Sequence, residues 1–150
     1  MPVFHYLHFR AFAHETDDPE KVRRALRHAI HDDRVALEES FAEGQNGNRI
    51  LILDADAKSA QSERALFASL RQDDPEAGAR LVEELPRRLD ENGNFHVRLD
   101  KQEASLGRVR LATGDDAILV RGKLRVFRQV EGSREAALEA LHRLLVPPIR

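Results

Sequence analysis

The sequence predicts an α+β domain in which helices cover one face of a mostly antiparallel mixed sheet, in the order β-α-β-β-α-α-β-β-α. Three observations lead there. Segments that alternate apolar and polar residues stand among segments whose apolar residues recur every three or four positions. Two of the alternating segments are joined by GQNGN, residues 44–48, a hairpin signal. No repeat, low-complexity run or linker divides the 150 residues, so residues 1–150 read as one domain. Helices gathered on one face leave the other face of the sheet open.

Each element follows from its residues. VFHYLHFRAFAH, residues 3–14, alternates as a strand. Val3, Leu7, Phe9, Ala11 and Ala13 share one parity, a core face; Phe4, Tyr6, His8, Arg10, Phe12 and His14 share the other. TDDPEK opens a helix with Asp18 as cap and Pro19 at the first position, where a missing N–H costs nothing. Val22, Ala25, Leu26, Ala29 and Ile30 form its apolar stripe, with Arg23, Arg24, Arg27, His28 and His31 turned away. VALEESFAEG and NRILILDADA are the hairpin strands. Residues 58–71 read as a helix with a short stripe of Ala65, Leu66 and Leu70. A further helix begins at DDPEA, again with an Asp cap before Pro, and Pro86 predicts a kink or break near its end. NFHVRLD is a strand with Phe95, Val97 and Leu99 inward. A polar connection, KQEASLGRVRLATGDD, leads to AILVRGKLRVFRQ, the longest alternation in the chain. There Ile118, Val120, Leu124 and Val126 face one way, and Leu119, Arg121, Lys123, Arg125 and Phe127 the other. SREAALEALHRLL closes the series as a helix capped by Ser133 and stopped by Pro147 and Pro148.

Composition narrows the classes of function. Charged residues make up 33% and apolar residues 41% of the chain, a soluble globular balance. Cysteine is absent, which excludes disulfides and a thiol nucleophile and fits a reducing, cytoplasmic setting. The opening MPVFHYLHFRAFAHE lacks the basic start and long apolar core of a signal peptide, and no run approaches the length of a membrane span. The net charge of −2 is not that of a uniformly basic nucleic-acid binder, but its distribution is uneven. Residues 86–130 hold ten Lys and Arg against six Asp and Glu, a local balance of +4, while the remainder stands at −6.

No catalytic motif stands out: HExxH, GxSxG, a Walker loop and GxGxxG are all missing. His28 and His31 lie three apart on a helix before Asp32 and Asp33, but a polar helix face near a C-terminus accounts for them. Asp54 and Asp56 share a strand parity that could hold a divalent ion, but at the end of a strand solvation is the better reading, since surface carboxylates are common. GQNG matches the GxxG clamp of KH domains, which joins two helices; here it joins two strands, so turn chemistry is the better reading. The sequence therefore predicts no catalytic residue, no metal and no cofactor.

The remaining signal is basic strand faces. Arg121, Lys123 and Arg125 share one parity, as do His96 and Arg98, and as do Tyr6, His8 and Arg10. If the three faces coincide they form a basic platform carrying aromatic rings, suited to phosphates through Arg and Lys and to bases through stacking. The competing reading is a solvated sheet face with cross-strand ion pairs.

Three stretches also resemble a known family. FHYLHFRAFAHETDDPEKVRRAL, EGQNGNRILIL and RLDENGNFHVRLDKQEASLG are similar to an archaeal family of small RNA-binding proteins, described as predicted exosome-associated subunits with a double-stranded-RNA-binding-like or ribosomal-protein-L-five-like fold. The most specific run is the last, through Arg88, Asp90, Gly93, Arg98, Asp100, Lys101, Gln102 and Ala104. His14, Thr16 and Asp18 carry the first stretch; Glu43, Gly44, Gly47 and Asn48 carry the second. Arg49 departs from the family, which has proline there. The resemblance implies RNA binding without enzyme activity, near RNA processing or ribosome biogenesis, with structured or ribosomal RNA and exosome- or ribosome-associated proteins as partners.

From strand parity, the expected RNA contacts are Arg98, Lys101, Arg121, Lys123 and Arg125 on phosphates, Arg108 and Arg110 extending that surface, Arg10 beside them, and His96 and Tyr6 on bases or ribose. The alternative is a protein–protein adaptor or homodimer using the free sheet face, anchored by Phe4, Phe12 and Phe127.

Overall fold

The computed structural model describes residues 2–146. Its elements are β1 (Phe4–Ala13), α1 (Pro19–Ile30), β2 (Glu38–Glu43), β3 (Arg49–Ala57), α2 (Ala60–Asp73), α3 (Pro75–Arg88), β4 (Asn94–Asp100), α4 (Lys101–Ser105), β5 (Ala117–Leu124) and α5 (Ser133–Leu145). The five strands form one sheet in the order β2-β3-β1-β5-β4, and every neighbouring pair is antiparallel. The α+β class and the element order agree with the sequence, with one addition. The short helix α4 lies inside the stretch expected to be a plain connection. Asp100 caps it by accepting the Glu103 amide at 2.9 Å.

Local chemistry explains most boundaries. Asp18 caps α1 by accepting the Glu20 amide at 3.0 Å, and the five stripe residues of α1 are buried. The helix ends at His31, whose φ of 58° turns the chain while its amide bonds back to Arg27. Two other caps differ from expectation. Asp74 stands before α3 without capping it; the carboxylates of Asp73 and Asp74 reach across to accept the amides of Val109 at 2.8 Å and Leu111 at 3.0 Å. Gly132 takes the cap position of α5, and the Ser133 hydroxyl accepts the Arg128 amide and donates to the Val126 carbonyl. The helix α3 runs through Pro86 and ends two residues later. Pro147 and Pro148 lie outside the described residues.

The core sits between the sheet and the helices. Phe4 departs from its expected parity: the β1–β5 register slips between Phe4 and Tyr6, and this irregularity turns Phe4 inward, to 1% exposure. There it meets Phe67 and Phe95, with ring centres 6.1–6.2 Å apart across the three pairs. The strand start is held by buried Glu63, whose carboxylate accepts the amides of Val3 and Phe4, both at 2.9 Å. Gly122 makes room for the Phe4 ring, since a Cβ there would lie 2.5 Å from it. Valine suits a strand in every other respect, so the expected loss of about 2–3 kcal/mol in Gly122→Val, read by chemical denaturation, is an overpacking cost.

Strand β5 is shorter than expected. It stops at Leu124, and Arg125 and Val126 form a turn. Phe127 is half-buried against Gly93 rather than continuing an outward row. Arg49, where the resembling family has proline, lies over the exposed Phe41 ring at 4.1 Å.

Candidate nucleic-acid interface

The open sheet face is built from the outward parity of β1, β3, β4 and β5. Register makes three rows across it. His8, Arg121 and His96 are aligned on β1, β5 and β4. Arg10, Leu119 and Arg98 form the next row, and Tyr6, Lys123 and Asn94 the row on the other side. The three basic faces read separately from the sequence therefore coincide. A hollow of about 350 Å³ lies at their centre, lined by His8, Arg10, His96, Arg98, Leu119 and Arg121.

The charge on this face is divided. On the β3 side the rows continue into acid: Asp56 opposite His8, Asp54 opposite Arg10, and Glu38 of β2 opposite Asp54. Arg10 is held by Asp54 through Nε at 2.7 Å and Nη2 at 3.2 Å, a bidentate pair that raises the guanidinium pKa. His8 sits between Asp56 at 2.7 Å and Asp54 at 3.0 Å. Burial pushes the Asp54 carboxyl up, but Arg10 and His8 outweigh it and leave it below its ordinary value. On the β5 side, exposed Arg121 has no ion-pair or hydrogen-bond partner among the described residues. Lys123 donates to the Asn92 carbonyl and lies 5.5 Å from the Phe127 ring centre. Arg98 donates to the Gly114 carbonyl and stays 3.8 Å from Asp115, which is fully solvated.

Beyond β4 the chain 108–112 extends the sheet. Leu111 bridges Leu99, the Asp100 amide donates to the Arg110 carbonyl at 2.8 Å, and the Ala112 amide donates to Arg98 at 2.9 Å. Val109 is buried, so the exposed Arg108 and Arg110 have the outward parity of Arg98. Arg108 is paired with Glu103 at 2.6 Å; Arg110 has no such partner among the described residues.

Two expected contacts are corrected. Lys101 is not on this face at all. It is 3% exposed, and its ammonium donates to the Phe12 carbonyl at 2.9 Å and meets Asp116 at 2.6 Å and Asp17 at 3.3 Å. Its three donors tie the end of β1 to the turn before α1 and to the start of β5. Arg125 lies past the end of β5, and its Nε donates to the Phe4 carbonyl at 3.3 Å, so it flanks the rows without belonging to one. Leu119 and His8 complete the centre of the site. Parity placed both on the outward set, but their significance depends on register, which the sequence does not state.

The candidate chemistry tested on the sequence also finds its place. His28 contacts the Ala104 carbonyl, and His31 contacts the Ala29 carbonyl and the Ser69 hydroxyl. Asp54 and Asp56 hold His8 and Arg10. Among the described residues no three His, Asp or Glu side chains are grouped to hold a metal.

His96 is itself anchored. Its Nε2 donates to Asp90 at 2.9 Å, and Asp90 also accepts the amides of Asn92 and Asn94, each at 2.9 Å. Burial pushes the Asp90 carboxyl up, but these donated bonds prevail and lower it from 3.8 to about 2. A depressed folded-state pKa contributes stability that is complete above the unfolded value and disappears as pH falls through the folded one. The Asp90 contribution is therefore expected to fade between about pH 4 and pH 2. Denaturation curves of the parent and Asp90→Asn over that window should converge as the pH falls; a constant gap would contradict this linkage.

Comparison with known proteins points the same way as the arrangement of this face. A family model described as RNA binding matches residues 6–124, a span running from within β1 to the end of β5. RNA-binding protein PAB1135 of Pyrococcus abyssi is 36% identical over 146 residues, 94% of this chain and 93% of its own length. Among solved structures, protein AF2318 from Archaeoglobus fulgidus superposes with a TM-score of 0.76 at 28% identity, covering 94% of this chain and 99% of that one. Mth689, a DUF54 protein from Methanothermobacter thermautotrophicus, superposes with a TM-score of 0.74 at 30% identity, over 95% and 98%. The matched residues include every strand bearing the divided face, and this chain belongs to the RNA-binding family that the model describes.

Proposed function

We propose that this protein is a non-catalytic, cytoplasmic RNA-binding module that serves RNA processing or ribosome biogenesis in association with an exosome or a ribosomal assembly. The observation that carries the reading is the union of Arg98, Arg121 and Lys123 on one open sheet face, with Tyr6 and His96 in the same rows. Arg121 has no carboxylate partner among the described residues, and Arg98 has only the fully solvated Asp115 at 3.8 Å, so both can exchange their present contacts for phosphates, which is where RNA affinity originates. Tyr6 and His96 supply flat rings for stacking on bases or contacts to ribose. Arg10 and Arg108, each paired with a carboxylate, contribute less than Arg110 and Arg121 do. Arg125 contributes from the flank. Family membership and the relative named as an RNA-binding protein support the same reading.

The adaptor reading has weaker support. Of its three anchors, Phe4 is in the core and Phe127 is half-buried, which leaves Phe12 alone on the open face.

Crosslinking the protein to RNA in cells and sequencing the bound fragments tests the proposal. Recovery of a defined set of transcripts well above background is expected. Recovery at background, with a stable protein complex that survives ribonuclease treatment, would overturn it in favour of the adaptor.

A further inference from the structure

The arrangement of the cations on the β4–β5 side of the sheet favours one strand of RNA over two. Four cations occupy four successive levels along the β4–β5 direction. Lys123 is level with Asn94, Arg121 with His96, Arg98 with Leu119, and Arg110 with Asp100. Each level is two residues further along a strand, a step of about 6.7 Å. The cations thus form a slanting line from β5 to the edge beyond β4, with a repeat comparable to that of phosphates along an extended nucleotide chain. The hollow at Leu119 and Arg121 lies beside the middle of this line and is bounded on the β1 side by His8 and Arg10, with Tyr6 in the next row.

A duplex needs a second row of cations for its second backbone, a groove width away. From β5, two strand spacings of about 4.8 Å lead across β1 to β3, which holds Asp54 and Asp56, with Glu38 beyond them on β2. Arg10 matches Asp54, but Asp56 and Glu38 have no arginine or lysine partner among the described residues, so that side keeps an excess of negative charge that repels phosphate. On the other flank the sheet ends at residues 108–112, where Arg108 is already neutralised by Glu103. One side of the line is acidic and the other has run out of sheet.

We infer that the open sheet face takes single-stranded RNA, laid along Lys123, Arg121, Arg98 and Arg110 with its bases turned toward Leu119 and Tyr6, and that the acidic β2–β3 half excludes duplex RNA. This inference rests on the RNA-binding reading and specifies its substrate class.

Fluorescence anisotropy with labelled oligouridine, and with a blunt RNA duplex of the same length, tests it across a salt series. Oligouridine is expected to bind about tenfold or more tightly than the duplex, and four phosphate contacts on a single strand give a log–log salt slope of about −2.8. Arg110→Gln and Lys123→Gln, at the two ends of the line, should each make that slope shallower by about 0.7. Glu38→Lys, which reverses a charge on exposed β2 away from the cation line, should raise duplex affinity severalfold and leave oligouridine binding near its original value. A duplex bound as tightly as oligouridine, or end variants that keep the full slope, would overturn the single-strand assignment while RNA binding stands. Failure of the parent protein to bind either RNA at low salt would overturn the RNA-binding reading and this inference with it.

Discussion

Lys101→Ala is expected to lower the stability of the fold by about 3 kcal/mol, because it removes three charge-assisted contacts of a buried ammonium. The loss is not larger because the partners are partly hydrated: Asp17 keeps 22% of its side-chain exposure and Asp116 keeps 50%. For a chain of this size that corresponds to a drop in Tm of roughly 6–12 °C. Chemical denaturation should show a lower midpoint with an unchanged m value. The same variant, measured where it remains folded, should keep the salt slope of RNA binding, since Lys101 faces no solvent that a phosphate could enter. A variant with parental stability and a shallower salt slope would return Lys101 to the interface. The most family-specific run in the sequence, RLDENGNFHVRLDKQEASLG, thus divides into two roles. Arg98 belongs to the open face, while Asp90, Asp100 and Lys101 build the fold beneath and beside it.

Arg121→Glu combined with Lys123→Glu should reduce RNA affinity by about 10- to 100-fold at low salt and make the salt slope shallower by about 1.5. Both side chains stand on one strand at adjacent levels, and reversal places two carboxylates in the β5 half of the cation line. The fold should survive the change. Arg121 is exposed without a partner among the described residues, and Lys123 gives up only its bond to the Asn92 carbonyl and its contact with the Phe127 ring. Thermal unfolding within a few degrees of the parent is the necessary control. Arg23→Glu with Arg24→Glu on α1 carries the same change in net charge on a different surface. Equal losses from the two double variants would mean that affinity follows net charge alone.

Periodicity made the fold largely readable, because core residues in a half-buried strand must alternate and those in a surface helix must recur at three and four. The failures share a cause: each depends on a contact outside the segment being read. Phe4 changes face because the β1–β5 register slips beside it, and a strand read alone carries no sign of its partner's register. Strand β5 stops at Leu124 although its alternation continues, since the chain beyond must turn back to bring Ser133 against Val126 and Arg128. Asp74 looked like a capping residue, and instead it and Asp73 accept amides 37 and 36 residues away. For the site, parity grouped Arg121 with Lys123 and His96 with Arg98, and pairing of β4 with β5 united the groups. Parity could not show that Lys101 begins a helix and turns inward, because a lysine in a polar run has the appearance of a surface residue until its two aspartates are placed around it.

The most direct measurement is photo-crosslinking of purified protein to RNA carrying 4-thiouridine, followed by mass spectrometry of the linked peptides. Crosslinks are expected on peptides containing residues 94–98 of β4, residues 117–124 of β5 and the segment around Arg110. Crosslinks concentrated on α1 around Arg23, Arg24 and Arg27, or on the β2–β3 hairpin, with none on β4 or β5, would contradict the placement of RNA on the open sheet face.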